Sequence, residues 1–216
     1  MQWLVSSIVI FILACMPAHV YADPMVDKAK PYVTVINELY TKYWPDYSLK
    51  HIPYGQVEQE SSWRVNARLH TAREDGYGLG QITVTPRFNN FKTAIAYSAL
   101  KGWDYKNDPY NPKNQLTFLI LQDRDNFKQV TKFFINDEER TKGMLVSYNA
   151  GFGRVLKRRQ AAITQKHKAD TWTGGLEDVH DHFEDKNLYG RPLYKAVNEY
   201  PRLIFKKSQK YIDISK

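Results

Sequence analysis

The chain has 216 residues, 43% of them hydrophobic, with a single Cys and 31 basic against 23 acidic side chains, a formal net charge of +8. A chain of this length builds one core, and no internal repeat or low-complexity linker divides it, so a single domain is expected. The positive balance suits an anionic partner: peptidoglycan with its acidic stem peptides, a membrane surface, or nucleic acid.

Residues 1–22 carry no Lys, Arg, Asp or Glu, and their apolar run from Trp3 to Met16 is too short for a comfortable membrane span. The segment reads as a secretory signal, in which the small residues Val20 and Ala22 place cleavage before Asp23 and leave residues 23–216 as the working domain. Ile12-Leu13-Ala14-Cys15 also resembles a lipobox, which would instead leave an acylated Cys15 at the mature end. Cleavage before Asp23 is the preferred reading. It removes the sole Cys, and with it any disulfide or cysteine metal ligand. A periplasmic or secreted protein follows, and export argues against nucleic acid as its partner.

Pro31 suits the first turn of a helix running to about Tyr43, with Val33, Ile36, Leu39 and Tyr40 at three- and four-residue spacing, and Trp44-Pro45 ends it. A second helix is predicted from near Pro53 through Glu60. Arg64 to Gly78 is polar and turn-rich, with room for a small hairpin, and a short helical segment is expected over Leu79 to Val84, before Pro86. Another helix is predicted between Phe88 and Gly102. Asn111-Pro112 then starts the most apolar run, Leu116 to Phe134, read as a long buried central helix. The acids from Asp137 start a helix that ends at Asn149-Ala150-Gly151, and a basic helix follows from Arg154 to Lys168. Its Lys157, Arg158 and Arg159 read as a solvated face. His180 and His182, with Glu184 and Asp185, lack the four-residue His spacing of a helical zinc site, so no metal is expected there. The tail from Tyr189 packs back as helix, with Pro201 a start or a kink.

The chemistry is expected around Glu60. At about 100° per residue, Val57 and Trp63 lie about 60° from it and Glu58 about 160° away, so Glu60 shares a face with apolar neighbours while Glu58 faces elsewhere. Partial burial raises a carboxyl's pKa, which suits a general acid. A Gly-rich turn follows, whose backbone can approach a ligand closely.

Three motifs stand in order: Glu60-Ser61, then Gly78-Leu79-Gly80-Gln81, then Ser147-Tyr148-Asn149-Ala150-Gly151. Together they resemble the soluble-type lytic transglycosylases, over roughly Pro53 to Val155 plus the tail. The resemblance implies a mainly α, lysozyme-like (α+β) fold: a single compact helical domain with a small hairpin beside the cleft. It implies Glu60 as the acid/base catalyst, Ser61 orienting it or touching substrate, and Gln81, Tyr148 and Asn149 as substrate contacts. Tyr200, followed by Ile204, matches the family's C-terminal Tyr, with Tyr194 the alternative. The family's Gly-Leu-Met-Gln has Gly80 in place of Met here, which implies a widened subsite. Its Ala-Tyr-Asn becomes Ser147-Tyr148-Asn149.

A glycoside hydrolase ordinarily needs two carboxylates. The family that this chain resembles needs one, which protonates the oxygen between muramic acid and glucosamine and then activates the sugar's own C6 hydroxyl, leaving a 1,6-anhydromuramoyl end. The expected partner is the peptidoglycan glycan strand, met by a monomer without cofactor or metal. Wall remodelling, a secretion or conjugation apparatus, or phage lysis are all compatible settings. Two alternatives stand beside this: a hydrolytic muramidase with Glu74 or Asp75 as its second carboxylate, and a non-catalytic wall-binding protein.

Overall fold

In this computed structural model, residues 23–180, 182–188 and 190–216 are described. The expected signal, its cleavage site and Cys15 therefore lie outside the described residues. Asp23 accepts a hydrogen bond from the Met25 amide and so caps a first short helix, α1 (Pro24–Ala29). α2 (Val33–Tyr43) buries Ile36, Leu39 and Tyr40 on one side, as their spacing requires. α3 (Ile52–Ser61) carries Glu60 and is buried almost all round, not along one stripe. Its close neighbour is the C-terminal helix. A Cβ on Gly55 would lie 2.7 Å from the Ile204 carbonyl oxygen and 2.8 Å from the Ser208 nitrogen, so only glycine lets the two backbones approach this closely.

The polar stretch after α3 forms β1 (Arg68–His70) and β2 (Asp75–Tyr77), the hairpin the sequence allowed for, in the register Arg68↔Tyr77. A third antiparallel strand, β3 (Ile82–Val84), pairs Tyr77 with Ile82. This corrects the short helix expected over Leu79 to Val84. The β-branched triplet Ile82-Thr83-Val84 favours the pleated sheet, where each residue gains cross-strand partners that a single isolated helical turn would not supply. α4 (Asn90–Ala96) is capped by Asn89, and Phe91 and Ala94 pack with Ile82, Trp103 and Phe118 into a small core beneath the sheet.

α5 (Pro112–Val130) begins as expected, with Pro112 in its first turn and the Asn111 side chain accepting from the Asn114 amide at 3.1 Å. α6 (Asp137–Ala150) starts at an Asn136 cap with three acids in its first turn. These two helices run through the middle: Leu116, Leu119, Ile120, Met144 and Leu145 share one core with the buried faces of α2, α3 and the tail.

α7 (Phe152–Thr164) departs from the expected solvated face at Arg158, which is 1% exposed. Its guanidinium lies 3.1 Å from both oxygens of Glu184, itself fully buried, and donates to Asn198 as well. The sequence could not show this because the partner lies in another segment. Beyond a second, two-stranded pairing of β4 (Asn187–Leu188) with β5 (Arg191–Pro192), α8 (Leu193–Ser208) packs along α3 and α6 with Pro201 inside it. The described chain is thus mainly α, one helical assembly with a small antiparallel sheet at its side. None of its described helices is long and apolar enough to cross a membrane.

Candidate active site

Glu60 sits in the last turn of α3, at the floor of a cleft of about 410 Å³. The helix stops one residue later. Ser62 and Trp63 both take left-handed backbone conformations, with φ of 53° and 64°, which are uncommon for residues with a side chain. They are held there by packing: Trp63 is buried, stacks on Tyr32, and donates from its indole nitrogen to the Tyr211 hydroxyl at 3.0 Å. This reversal turns the chain from α3 into the sheet and so makes the cleft, with the helix on one side and the strands on the other.

Because α8 lies so close to α3, Tyr200 reaches across and donates its hydroxyl to Glu60 Oε1. Desolvation pushes the Glu60 carboxyl up to about 7, against the lowering pull of the Tyr200 hydrogen bond and of the Lys207 charge. The Tyr200 and Tyr148 hydroxyls are themselves shifted well upward, by burial first and by the nearby Glu60 charge second. Both phenols therefore stay neutral donors, and Glu60 is a carboxyl that holds its proton near neutrality.

Gln81, Tyr148 and Asn149 line the same cleft. The glycines of the turn set them in place. Gly78, at φ +66°, lies under Gln115, whose Nε2 would be only 2.1 Å from an added Cβ. At Gly80 an added Cβ would meet the Tyr148 hydroxyl at 3.0 Å and Leu119 at 3.3 Å, and that hydroxyl donates to the Gly80 carbonyl at 2.6 Å. The Tyr148 hydroxyl and Leu119 thus stand where a side chain at position 80 would begin. Gln81 donates to the Gly78 carbonyl at 3.0 Å, which fixes its amide along the wall.

Five of the six residues expected at the site come together here: Glu60, Gln81, Tyr148, Asn149 and Tyr200. Ser61 does not join them. It is 2% exposed and its hydroxyl donates back to the Val57 carbonyl at 3.0 Å, the ordinary bond of a serine in a helix interior. Tyr194, the alternative to Tyr200, stacks on His180. Glu58 turns away from the cleft as expected, though into the protein, where Tyr211 donates to it at 2.6 Å. His180 and His182 both approach Asp185, and among the described residues no group of three potential ligands could hold a metal ion.

No family model matches the chain, and no curated protein does. The function must therefore be read from the site's own chemistry.

Of the two acids considered as a second carboxylate, Asp75 is held by His70 Nδ1 at 2.6 Å and Arg68 at 3.3 Å, and the His70 bond is the main reason its pKa is lowered. Glu74 lines the cleft together with Glu60. Arg64 and Arg68 also line it and were not anticipated. Arg64 stands four residues after Glu60, but the helix has ended by then, so helical phase gave no reason to place it near the acid.

A further group missed in the sequence lies behind Glu60. Asp123 of α5 is fully buried, accepts from Gln56 Nε2 at 3.4 Å, and its other oxygen has no partner among the described residues. Gln56 stands one helical turn before Glu60 on the same face of α3. Burial raises the Asp123 pKa strongly, the Gln56 bond opposes this, and the Glu60 charge adds to it. The legible signal was a carboxylate four residues after Leu119 and seven after Leu116, in phase with the apolar stripe of the central helix.

Proposed function

We propose that the protein is a peptidoglycan lytic transglycosylase, exported to the periplasm or beyond, which cleaves the β-1,4 bond between N-acetylmuramic acid and N-acetylglucosamine. The observation that carries this reading is the Glu60 carboxyl at the floor of an open cleft, held by Tyr200 and raised to about 7 by desolvation. Such a group can donate a proton and take one back at the same pH. In the first step Glu60 protonates the leaving glycosidic oxygen as the bond to the anomeric carbon breaks. In the second, the Glu60 carboxylate takes the proton of the muramoyl C6 hydroxyl as its oxygen bonds to that carbon, which restores the acid and leaves a 1,6-anhydro end. The C6 hydroxyl belongs to the substrate and acts at high effective concentration, so one protein carboxyl suffices. Gln81, Tyr148 and Asn149 would bind the sugars along the wall. The motif resemblance supports the same assignment.

A second reading, a muramidase that uses water, is favoured by one observation: Glu74 lines the same cleft as Glu60. Digestion of purified peptidoglycan, followed by separation and mass analysis of the muropeptides, distinguishes the two. Anhydromuramoyl ends that persist in Glu74→Gln and vanish in Glu60→Gln are the expected result. Reducing ends that disappear in Glu74→Gln would assign the chain to the hydrolases, and no cleavage by wild type would remove the enzyme reading altogether.

A further inference from the structure

The cleft at Glu60 adjoins a second, larger cavity of about 620 Å³, and Glu74 and Asn149 line both. A volume of this size is typical of sites that hold a small organic ligand. Four separate parts of the chain each bring a cation to it: Arg73 from the turn between β1 and β2, Arg154 from α7, Lys186 beside β4, and Arg191 from β5. Glu74 is the one acid on its described lining.

These cations are not equivalent. Arg154 is bound to Glu184 at 3.0 Å, and Arg191 pairs with Glu199, so both have structural partners within the fold. Arg73 and Lys186 are exposed and make no ion pair among the described residues. The Lys186 ammonium lies 4.9 Å from the Phe183 ring, close to the apolar patch that Leu193 and Ala196 add to the cavity. Proton transfer at Glu60 uses none of them. Like charges gathered around a concavity repel one another and focus a positive potential into it, which an anionic ligand relieves. Because the two uncommitted cations stand on different segments, an extended ligand with several carboxylates fits them better than one compact anion.

We propose that this cavity is a subsite for the carboxylate-bearing peptide branch of the glycan strand, with Arg73 and Lys186 meeting its carboxylates and the Phe183, Leu193 and Ala196 patch its aliphatic parts. This rests on the reading that the cleft itself binds peptidoglycan. The subsite makes the enzyme prefer strands that still carry their peptides, and places the peptide of the muramoyl unit on the Asn149 side of Glu60.

The test compares initial rates on intact peptidoglycan and on the same strands stripped of peptides by an amidase, for wild type and Arg73→Ala/Lys186→Ala. Wild type is expected to cleave both and to prefer the intact material. The double variant should lose about tenfold in kcat/KM on intact strands, the scale of two weakened charge-assisted contacts, and nothing on stripped ones. Equal loss on both substrates would overturn the subsite in favour of a general attraction for the strand. No loss on either would overturn it too. Failure of wild type to cleave either kind of strand would instead bring down the enzyme reading, and this inference with it. The single variants, each at an exposed side chain, give the same comparison if the double variant does not fold.

Discussion

Glu60→Gln separates what the carboxyl does for the chemistry from what it costs the fold. In the folded chain its pKa stands at about 7, against an ordinary 4.5. Between those values the folded protein keeps a proton that the unfolded chain has released, so stability falls as pH rises from 4.5 towards 7 and the loss is complete above it. At about 1.4 kcal/mol per pKa unit the total is about 3 kcal/mol, an upper figure because Glu60 is partly open to the cleft. Glutamine keeps an oxygen to accept from Tyr200 and has no charge to desolvate. Urea unfolding of both proteins at several pH values from 4.5 to 8 should show the difference growing in favour of the variant by about 2 to 3 kcal/mol. Asp123 is present in both chains and largely cancels in that difference. Wall cleavage should fall by about 10² to 10⁴ in the same variant. A difference in stability that stays flat across the range would refute the claim that Glu60 is held in a shielded site, whatever happened to activity.

Tyr200→Phe removes a hydrogen bond that lowers the Glu60 pKa, so the alkaline limb of the pH–rate profile should move up from about 7; a limb that stays or moves down contradicts the assignment. Gly80→Met forces the Tyr148 hydroxyl and Leu119 aside and should destabilise by about 1–3 kcal/mol by overpacking, less in a Tyr148→Phe background, as thermal unfolding of the four proteins would show. Glu184→Ala leaves the Arg158 guanidinium buried without its carboxylate and should cost about 3–5 kcal/mol in denaturant unfolding, with no direct change at the cleft.

The starts of the two central helices were legible because their causes are local, whereas the helices read to Phe134 and Lys168 stop at Val130 and Thr164. Asn111-Pro112 and the Asn136 cap with its acids act within one turn, and the structure begins α5 and α6 where those residues stand. The third strand was read as helix although the β-branched triplet Ile82-Thr83-Val84 was a local sign of strand, and its pairing with β2 lies outside a window over Leu79 to Val84. The Arg158–Glu184 pair failed for the same reason at longer range. A basic residue in a basic helix has no local mark of burial, and the carboxylate that decides the matter comes 26 residues later in the chain.

The site itself was half legible, and the division follows the physics of each residue. Glu60 could be singled out because helical phase put it beside Val57, although Trp63, counted on the same face, lies beyond the end of α3 where helical phase no longer applies. Ser61 could not be judged that way: its neighbour in the motif enters the cleft, but a residue one position along points 100° away, and here that direction is into the core. The glycines were read as giving a ligand access to backbone. In the structure they admit the protein's own polar side chains, Gln115 over Gly78 and Tyr148 over Gly80, so the wall is built before any sugar arrives. That changes what the motif requires. A glycine that serves a ligand can be exchanged at the expense of binding alone, whereas one that seats Tyr148 is tied to α6, and through it to the core that also carries α3 and Glu60. Binding wall and catalytic acid are then parts of one packed unit, so substitution at Gly80 should change both stability and turnover.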